Sequence, residues 1–387
     1  MANSQAEQQL ILLSAGTAAR RRAMGERADR LMADLDWPRL AETLRLRRLL
    51  PTLGPRIVEL AKGRASDDFG ATVDQSIATG RRHGAFLQLI SLRAIAILAD
   101  AGIRSIALKG PLLGEAIYGD PGRRPSSDID LLVAPEQLRA AVKVIRGLGY
   151  GAPTDHVHDD GLPLLHFVLV HERGELPPVE LHWRVHWYER SFARERLLPP
   201  AVDPPGDWRP APADELAALL LFYARDGFVG LRLATDLSAW WDVYGADLPP
   251  DALPELLSAY PALARVVAVA VKVAEKTVGL PATEIIADMP KLGLRERTAA
   301  RLANPNPHSS QPQLYADIGL IDGLLMPRGG FNAFVRRQLL PPPEVLDQQA
   351  RHAARRRARS PLGRCAGVLA RYGLTIARLM RAPETLR

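Results

Sequence analysis

Asp128 and Asp130 stand two residues apart in the run Asp128-Ile129-Asp130-Leu131-Leu132-Val133. Residues two apart on a β-strand share a face, so the two carboxylates point together while Ile129, Leu131 and Val133 point into a core. Such a pair repels and stays ionised only if cations bridge it. Oxygen-only ligands of this kind favour Mg²⁺, which takes few protein carboxylates and completes its shell from phosphates and water. A third carboxylate follows in Val179-Glu180-Leu181-His182-Trp183. There Val179, Leu181 and Trp183 alternate with Glu180, His182 and Arg184, which puts Glu180 on the face opposite the apolar residues and completes a two-metal site. An Asp-x-Asp pair alone is a weak signal. Its weight here comes from what precedes and follows it.

Upstream, a β-type run, Ile106 to Leu108, ends in Lys109-Gly110 and leads into a helical stretch, Pro111 to Tyr118. That order places backbone N–H groups at a helix N-terminus, where a polyphosphate can sit. A lysine at a helix start is opposed by the helix dipole, so Lys109 argues for an anionic partner. The chain has 44 arginines and six lysines, which makes a lysine in a special place informative. Arg123 and Arg124 lie in the loop ahead of the Asp-x-Asp strand, where they could make bidentate contacts to triphosphate oxygens, and Ser127 lies in the same loop.

These residues must be held by folded elements. The chain has 387 residues, 47% of them hydrophobic and 24% charged, which fits a globular protein of two or three domains and excludes disorder, collagen-like rods and coiled-coil rods. Residues 1–100 read as an N-terminal helical segment, with apolar positions three and four apart, as in Leu87, Ile90, Ala94 and Ile97. Pro51, Gly54 and Pro55 are expected to break the early helices from the later one. Residues 101–198 form the α/β part, with short β-runs at 106–108, 128–133, 165–170 and 179–183 and a helix from Pro135 to Leu148. Residues 210–387 read as a C-terminal helical domain with a basic tail.

Positions 351–387 hold ten arginines and one acid, so the net charge of +7 belongs to that tail and not to the whole surface. The single cysteine, Cys365, excludes an internal disulfide and a cysteine-based zinc cluster. No uncharged apolar run approaches 18 residues, so no membrane span is expected. Met1 to Leu13 lacks the basic start of a secretory signal, and a cytoplasmic location is expected.

Six of the nine histidines fall between His156 and His186. His182 and His186 have ligand spacing only on a helix. On a strand they stand roughly 13 Å apart. His182 is therefore read as bordering the metal site and the others as lying on an exposed hairpin. Trp240-Trp241 is read as one core and one boundary residue, with base stacking as the alternative. Asp236, Arg232 and Arg225 are candidate contacts to a nucleotide or acceptor, with interdomain salt bridging as the equal alternative.

Together these residues resemble the nucleotidyltransferase fold of the DNA polymerase β superfamily, and more closely its stand-alone bacterial nucleotidyltransferase-family proteins. Leu108-Lys109-Gly110, Tyr118, Arg124, Asp128-Ile129-Asp130-Leu131-Leu132-Val133 and Glu180-Leu181-His182-Trp183 carry the resemblance. Leu231-Arg232-Leu233, Asp236-Leu237 and Leu339-Leu340-Pro341 extend it thinly into the helical part. The resemblance implies an α+β, mixed α/β fold, with a mixed-sheet core between N-terminal helices and a C-terminal helical domain.

It also implies a reaction. An acceptor hydroxyl attacks the α-phosphate of an NTP and pyrophosphate leaves. Two Mg²⁺ ions are expected on Asp128, Asp130 and Glu180, with Mn²⁺ able to substitute, and Glu180 binds the catalytic ion or takes the hydroxyl proton. Lys109, Gly110, Arg123, Arg124 and Ser127 are the expected NTP contacts. A small molecule, peptide or protein acceptor is favoured over an RNA end. An RNA-modifying, toxin-like transferase and a non-catalytic nucleotide-binding scaffold are the alternatives, and no membrane partner is expected.

The sequence departs from the superfamily pattern twice. The usual Gly-Ser pair at the phosphate turn is Lys109-Gly110, and the third carboxylate is Glu180 in place of Asp.

Overall fold

The computed structural model of the protein describes residues 2–33, 35–155, 157, 161–202, 209–286, 291–305, 311–327 and 373. The arginine-rich tail other than Gly373, the Leu339-Leu340-Pro341 motif, Cys365, His156 and His158 lie outside the described residues.

Helices α1 to α5 (Ala2–Ser14, Ala18–Ala23, Gly25–Leu31, Trp37–Leu46 and Leu50–Ala61) lead to the long α6 (Asp67–Asp100). Then come β1 (Ser105–Ala107), α7 (Pro111–Tyr118), β2 (Ile129–Val133), α8 (Leu138–Arg146), β3 (His166–Leu169) and β4 (Val179–His182). Helices α9 (Pro212–Arg225), α10 (Arg232–Tyr244), α11 (Ala252–Ala259) and α12 (Pro261–Val278) follow. Helices α13 to α15 (Ala282–Ile285, Leu294–Leu302 and Gln311–Leu325) follow.

The expected break at Pro51, Gly54 and Pro55 does not occur, because all three lie inside α5. Pro51 sits in the first turn, where its missing N–H has no intrahelical partner to lose. Pro55 removes one further bond. Tertiary packing offsets that loss: a Cβ on Gly54 would lie 2.5 Å from Val73 Cγ2, so the glycine lets α5 and α6 touch closely. The chain turns instead at Lys62 and Gly63, both with positive φ. Helix α6 begins at Ser66, whose hydroxyl accepts from Phe69 N at 3.2 Å, with Asp67 and Asp68 favourably placed in its first turn.

The four strands form one mixed sheet in the order β1-β2-β4-β3. Strands β2 and β4 run parallel, while β1 and β3 pair antiparallel at the edges. One face of the sheet is dry. Ile129, Leu131, Val133, Phe167, Leu169, Val179 and Leu181 pack there against Leu87, Ala94 and Leu98 of α6 and Leu138, Ala141 and Ile145 of α8. Burying each such side chain contributes roughly 1.5–3 kcal/mol, and a one-residue slip in register would turn every one of them outward. The register is thereby held, and Asp130, Glu180, His182 and His166 face the other way.

A second, larger core joins the N-terminal and C-terminal helices. Leu10, Ile11, Leu53 and Ile57 pack in it with Leu220, Trp240, Val267 and Val278. Thr17 N donates to Val278 O at 2.8 Å and Ser238 Oγ to Ala15 O at 2.8 Å, so the N-terminal helices are stitched directly to α10 and α12.

Helix α6 contains an 18-residue window long and apolar enough to cross a membrane by length and composition. Its buried stripe packs into both cores, while Phe86, Leu89 and Leu92 are exposed.

Candidate active site

The loop that delivers Asp128 is clamped between α6 and α7 by glycines. A Cβ on Gly80 would meet Gly122 O at 2.3 Å, and one on Gly114 would meet Arg124 Cβ at 2.8 Å. Thr52 Oγ1 donates to Arg123 O at 2.5 Å, and His83 Nε2 lies 3.0 Å from Ser126 O. Close packing on both sides thus fixes the approach to β2.

Asp130 and Glu180 are register partners on the parallel strands β2 and β4, so their side chains leave the same face. Asp130 is buried. Its Oδ1 lies 2.9 Å from Lys109 Nζ and 3.0 Å from His182 Nε2, and the same Nε2 is 3.2 Å from Glu180 Oε2. Burial would raise the Asp130 carboxyl, but the Lys109 ammonium and His182 outweigh it and hold that group well below the usual carboxylate range. Burial also opposes ionisation of Glu180, and the hydrogen bond from His182 outweighs it, leaving this group below its ordinary value.

His166, the register partner of His182 on β3, brings its Nε2 to 3.8 Å from Glu180 Oε2. Burial, with His182 adding to it, pushes His166 down to about 4. Asp128 sits just ahead of β2 and is half-buried, its Oδ1 accepting from Ser126 Oγ at 3.2 Å.

Lys109 reaches the site because Gly110 adopts φ 92 and ψ −151, a conformation open to glycine, and turns the chain into α7 behind Pro111. The anion beside Lys109 in this structure is Asp130. Helix α9 covers the pair with Phe222, whose ring centre is 5.4 Å from Lys109 Nζ and 6.4 Å from the His182 ring. Arg225 lies over the same Phe222 ring at 4.6 Å. Helix α10 adds Arg232, whose Nη2 donates to Pro125 O at 2.6 Å and whose Nε is buried without a hydrogen-bond partner. Burial lowers Arg232 from its ordinary value, while Asp128 and Asp130 are among the anions that act the other way.

The other expected contacts are placed differently. Arg124 and Asp236 are bound to each other, Nε to Oδ2 at 2.9 Å, in a pair 2% and 1% exposed, and Tyr118 OH donates to Asp236 Oδ1 at 2.9 Å. This pair joins the strand-leading loop to α10. Arg123 lies against the Tyr118 ring at 5.4 Å, and its electrostatic neighbours are Tyr118, Asp120, Arg21 and Glu59, away from the strand carboxylates. Ser127 is exposed. Trp240 is a core residue donating to Glu215 Oε2 at 3.1 Å, and Trp241 is half-buried.

The described histidines of this group do not form an exposed hairpin, and His156 and His158 lie outside the described residues. His166 is half-buried in the site, and His171 and His186 are buried, because the strands and the segment after β4 fold inward. His166 and Phe222 were not singled out from sequence. The alternation of His166 and Val168 with Phe167 and Leu169 does mark the polar face of β3, but no short turn signal fixes how β3 registers against β4. Phe222 looks like one more apolar residue on a core helix.

Asp130 Oδ2 is buried with no hydrogen-bond partner, and Oδ1 already attracts two cationic or protonated nitrogens. Asp130, Glu180 and the adjacent Asp128 therefore form a donor set suited to a cation.

Among comparisons with known proteins, a family model described as uncharacterised nucleotidyltransferase matches residues 33–279, a span from just before α4 through the sheet to the end of α12. No curated protein and no solved structure matches the chain.

Proposed function

Because the chain belongs to this family of uncharacterised nucleotidyltransferases, we propose that it moves a nucleoside monophosphate from an NTP to a hydroxyl of a small molecule, peptide or protein, with release of pyrophosphate. The observation that carries the proposal is the in-register pairing of Asp130 with Glu180 on parallel strands, both on the face opposite the dry core.

In this reading the acceptor oxygen forms a bond to the α-phosphorus as the bond from that phosphorus to the bridging oxygen of pyrophosphate breaks. The hydroxyl proton passes to a carboxylate, for which Glu180 is the candidate. Divalent ions, Mg²⁺ or Mn²⁺, held by Asp128, Asp130 and Glu180 would supply neutralisation of the phosphate charge. Lys109 and Arg232 add positive charge beside the carboxylates, and Phe222 limits the water around Lys109. Gly110 opens the N-terminus of α7 towards a phosphate group. Most of the rate would come from positioning and charge placement.

The test is pyrophosphate release from each of the four NTPs with Mg²⁺, in the presence of a lysate as acceptor source, for the wild type and for Asp130→Asn and Asp128→Ala. Release that both variants lose supports the proposal and names the donor. Release that persists in both removes these carboxylates from the reaction. NTP-induced thermal stabilisation without release favours a nucleotide-binding scaffold.

A further inference from the structure

We propose that His166, Glu180 and His182 form a three-ligand site for a divalent transition-metal ion of the class that accepts imidazole nitrogen, in addition to the oxygen-only chemistry of Asp128 and Asp130. Each residue offers one ligand atom, and these atoms all lie within 4.8 Å of one another. Ligands about 2.1 Å from a tetrahedral ion stand roughly 3.4 Å apart. Here Glu180 Oε2 is 3.2 Å from His182 Nε2 and 3.8 Å from His166 Nε2.

The second of those separations exceeds a hydrogen bond, and His166 Nδ1 is buried without a partner. His166 therefore holds a half-buried polar ring that faces a carboxylate yet makes no hydrogen bond to a described residue. An ion between His166 Nε2 and Glu180 Oε2 would bridge the 3.8 Å gap that no hydrogen bond closes. Asp130, assigned above to the oxygen-only donor set, borders this trio. It is 2% exposed, Oδ1 is 3.0 Å from His182 Nε2, and Oδ2 is buried with no partner.

The rings are set by the fold and not by chance rotamers. His166 and His182 are cross-strand partners with centroids 4.5 Å apart, and Phe222 closes the other side of His182 at 6.4 Å. Two imidazoles and one carboxylate leave at least one coordination position for water or a substrate oxygen, as in catalytic zinc sites. Imidazole donors favour Zn²⁺, Co²⁺ and related ions over Mg²⁺, which prefers oxygen. This inference shares Glu180 with the proposed reaction, so ion binding must be read apart from turnover.

The experiment titrates the untagged, chelator-stripped full chain with Co²⁺ and follows its visible absorption. The expected result is one Co²⁺ per chain with the intense bands of a low-coordinate nitrogen and oxygen site, displaced by one equivalent of Zn²⁺ and not by a hundredfold excess of Mg²⁺. His182→Gln and His166→Gln should each weaken Co²⁺ binding by tenfold or more. His166 lies on an edge strand, so its variant keeps the test valid if the buried His182→Gln chain fails to fold. Unchanged affinity in folded His166→Gln, displacement by Mg²⁺ at concentrations like those of Zn²⁺, or no Co²⁺ binding would each overturn the site. Asp128→Ala lies outside the trio: loss of pyrophosphate release with Co²⁺ binding retained would keep the two proposals separable.

Discussion

The ammonium of Lys109 lies 2.9 Å from Oδ1 of Asp130, so the strand carboxylate has a protein cation beside it without any nucleotide. Lys109 is 17% exposed at its side chain and Asp130 fully buried, which makes this a weakly screened, low-dielectric contact and not a surface pair. Helix α7 starts immediately after it, and the dipole there favours an anion.

Lys109→Met should therefore lower stability by about 3 kcal/mol in metal-free buffer, since removing one partner leaves a buried charge. Divalent ions should then raise the melting temperature of the variant more than that of the wild type. Equal stabilisation of both by Mg²⁺ or Mn²⁺ would show that Lys109 does not substitute for a bound cation.

Arg124 and Asp236 are buried at 2% and 1% exposure and tie the loop before β2 to α10. Asp236→Asn should destabilise by about 3–5 kcal/mol, because Arg124 is left charged and unpaired, and Arg124→Met with Asp236→Leu should recover much of that loss. Urea denaturation of Arg124→Met, Asp236→Leu and the double measures it. An additive double variant would contradict direct coupling.

Gly80→Ala should displace the 121–124 loop, since the added Cβ would lie 2.3 Å from Gly122 O. The expected cost is about 1–3 kcal/mol, with a larger proportional loss of nucleotide turnover than of stability. Wild-type kinetics in a destabilised Gly80→Ala chain would mean that the loop does not position Asp128.

Two buried groups act in opposite directions on the pH dependence of folding. Burial pushes His186 down to about 3 from 6.5, so below pH 6.5 the unfolded chain takes up the proton first. Stability then falls as the pH drops, by about 2 kcal/mol at pH 5. Burial raises Glu189 to about 7 from 4.5, so its contribution is present below pH 4.5 and is lost as the pH rises to 7, by about 3 kcal/mol. Unfolding free energies measured from pH 4 to 8 should lose the acidic limb's slope in His186→Asn and the opposing slope in Glu189→Gln. Unchanged slopes in both variants would locate the pH dependence elsewhere.

Much of the site was legible in the sequence because strand periodicity is local. Alternation alone put Asp130 and Glu180 opposite Ile129, Leu131, Val179 and Leu181, and the sheet places them so. Lys109-Gly110-Pro111 marked the strand-to-helix turn for an equally local reason, a glycine conformation followed by a helix-starting proline. The arginines were less legible. Arg123 and Arg124 are adjacent in a basic loop, and nothing in the sequence says that one meets Asp236, 112 residues away, and the other the Tyr118 ring. The histidines were misread for a similar reason. Their polarity suggests exposure, whereas His166 is half-buried and His171 and His186 are buried in the folded chain.

By itself, then, the sequence determined the α+β class, the order of the elements, the polar face of each strand and the nucleotidyltransferase family. These follow from hydrophobic period, turn chemistry and short motifs, which depend on neighbours a few residues apart. Only the tertiary structure decided which cations stand beside Asp130, which are withdrawn into buried pairs, and that His166 joins Glu180 and His182. Those outcomes depend on how β3 registers against β4 and on how α6, α9 and α10 pack against the sheet. Packing brings together side chains separated by 50 to 120 residues, and local sequence carries no record of that distance.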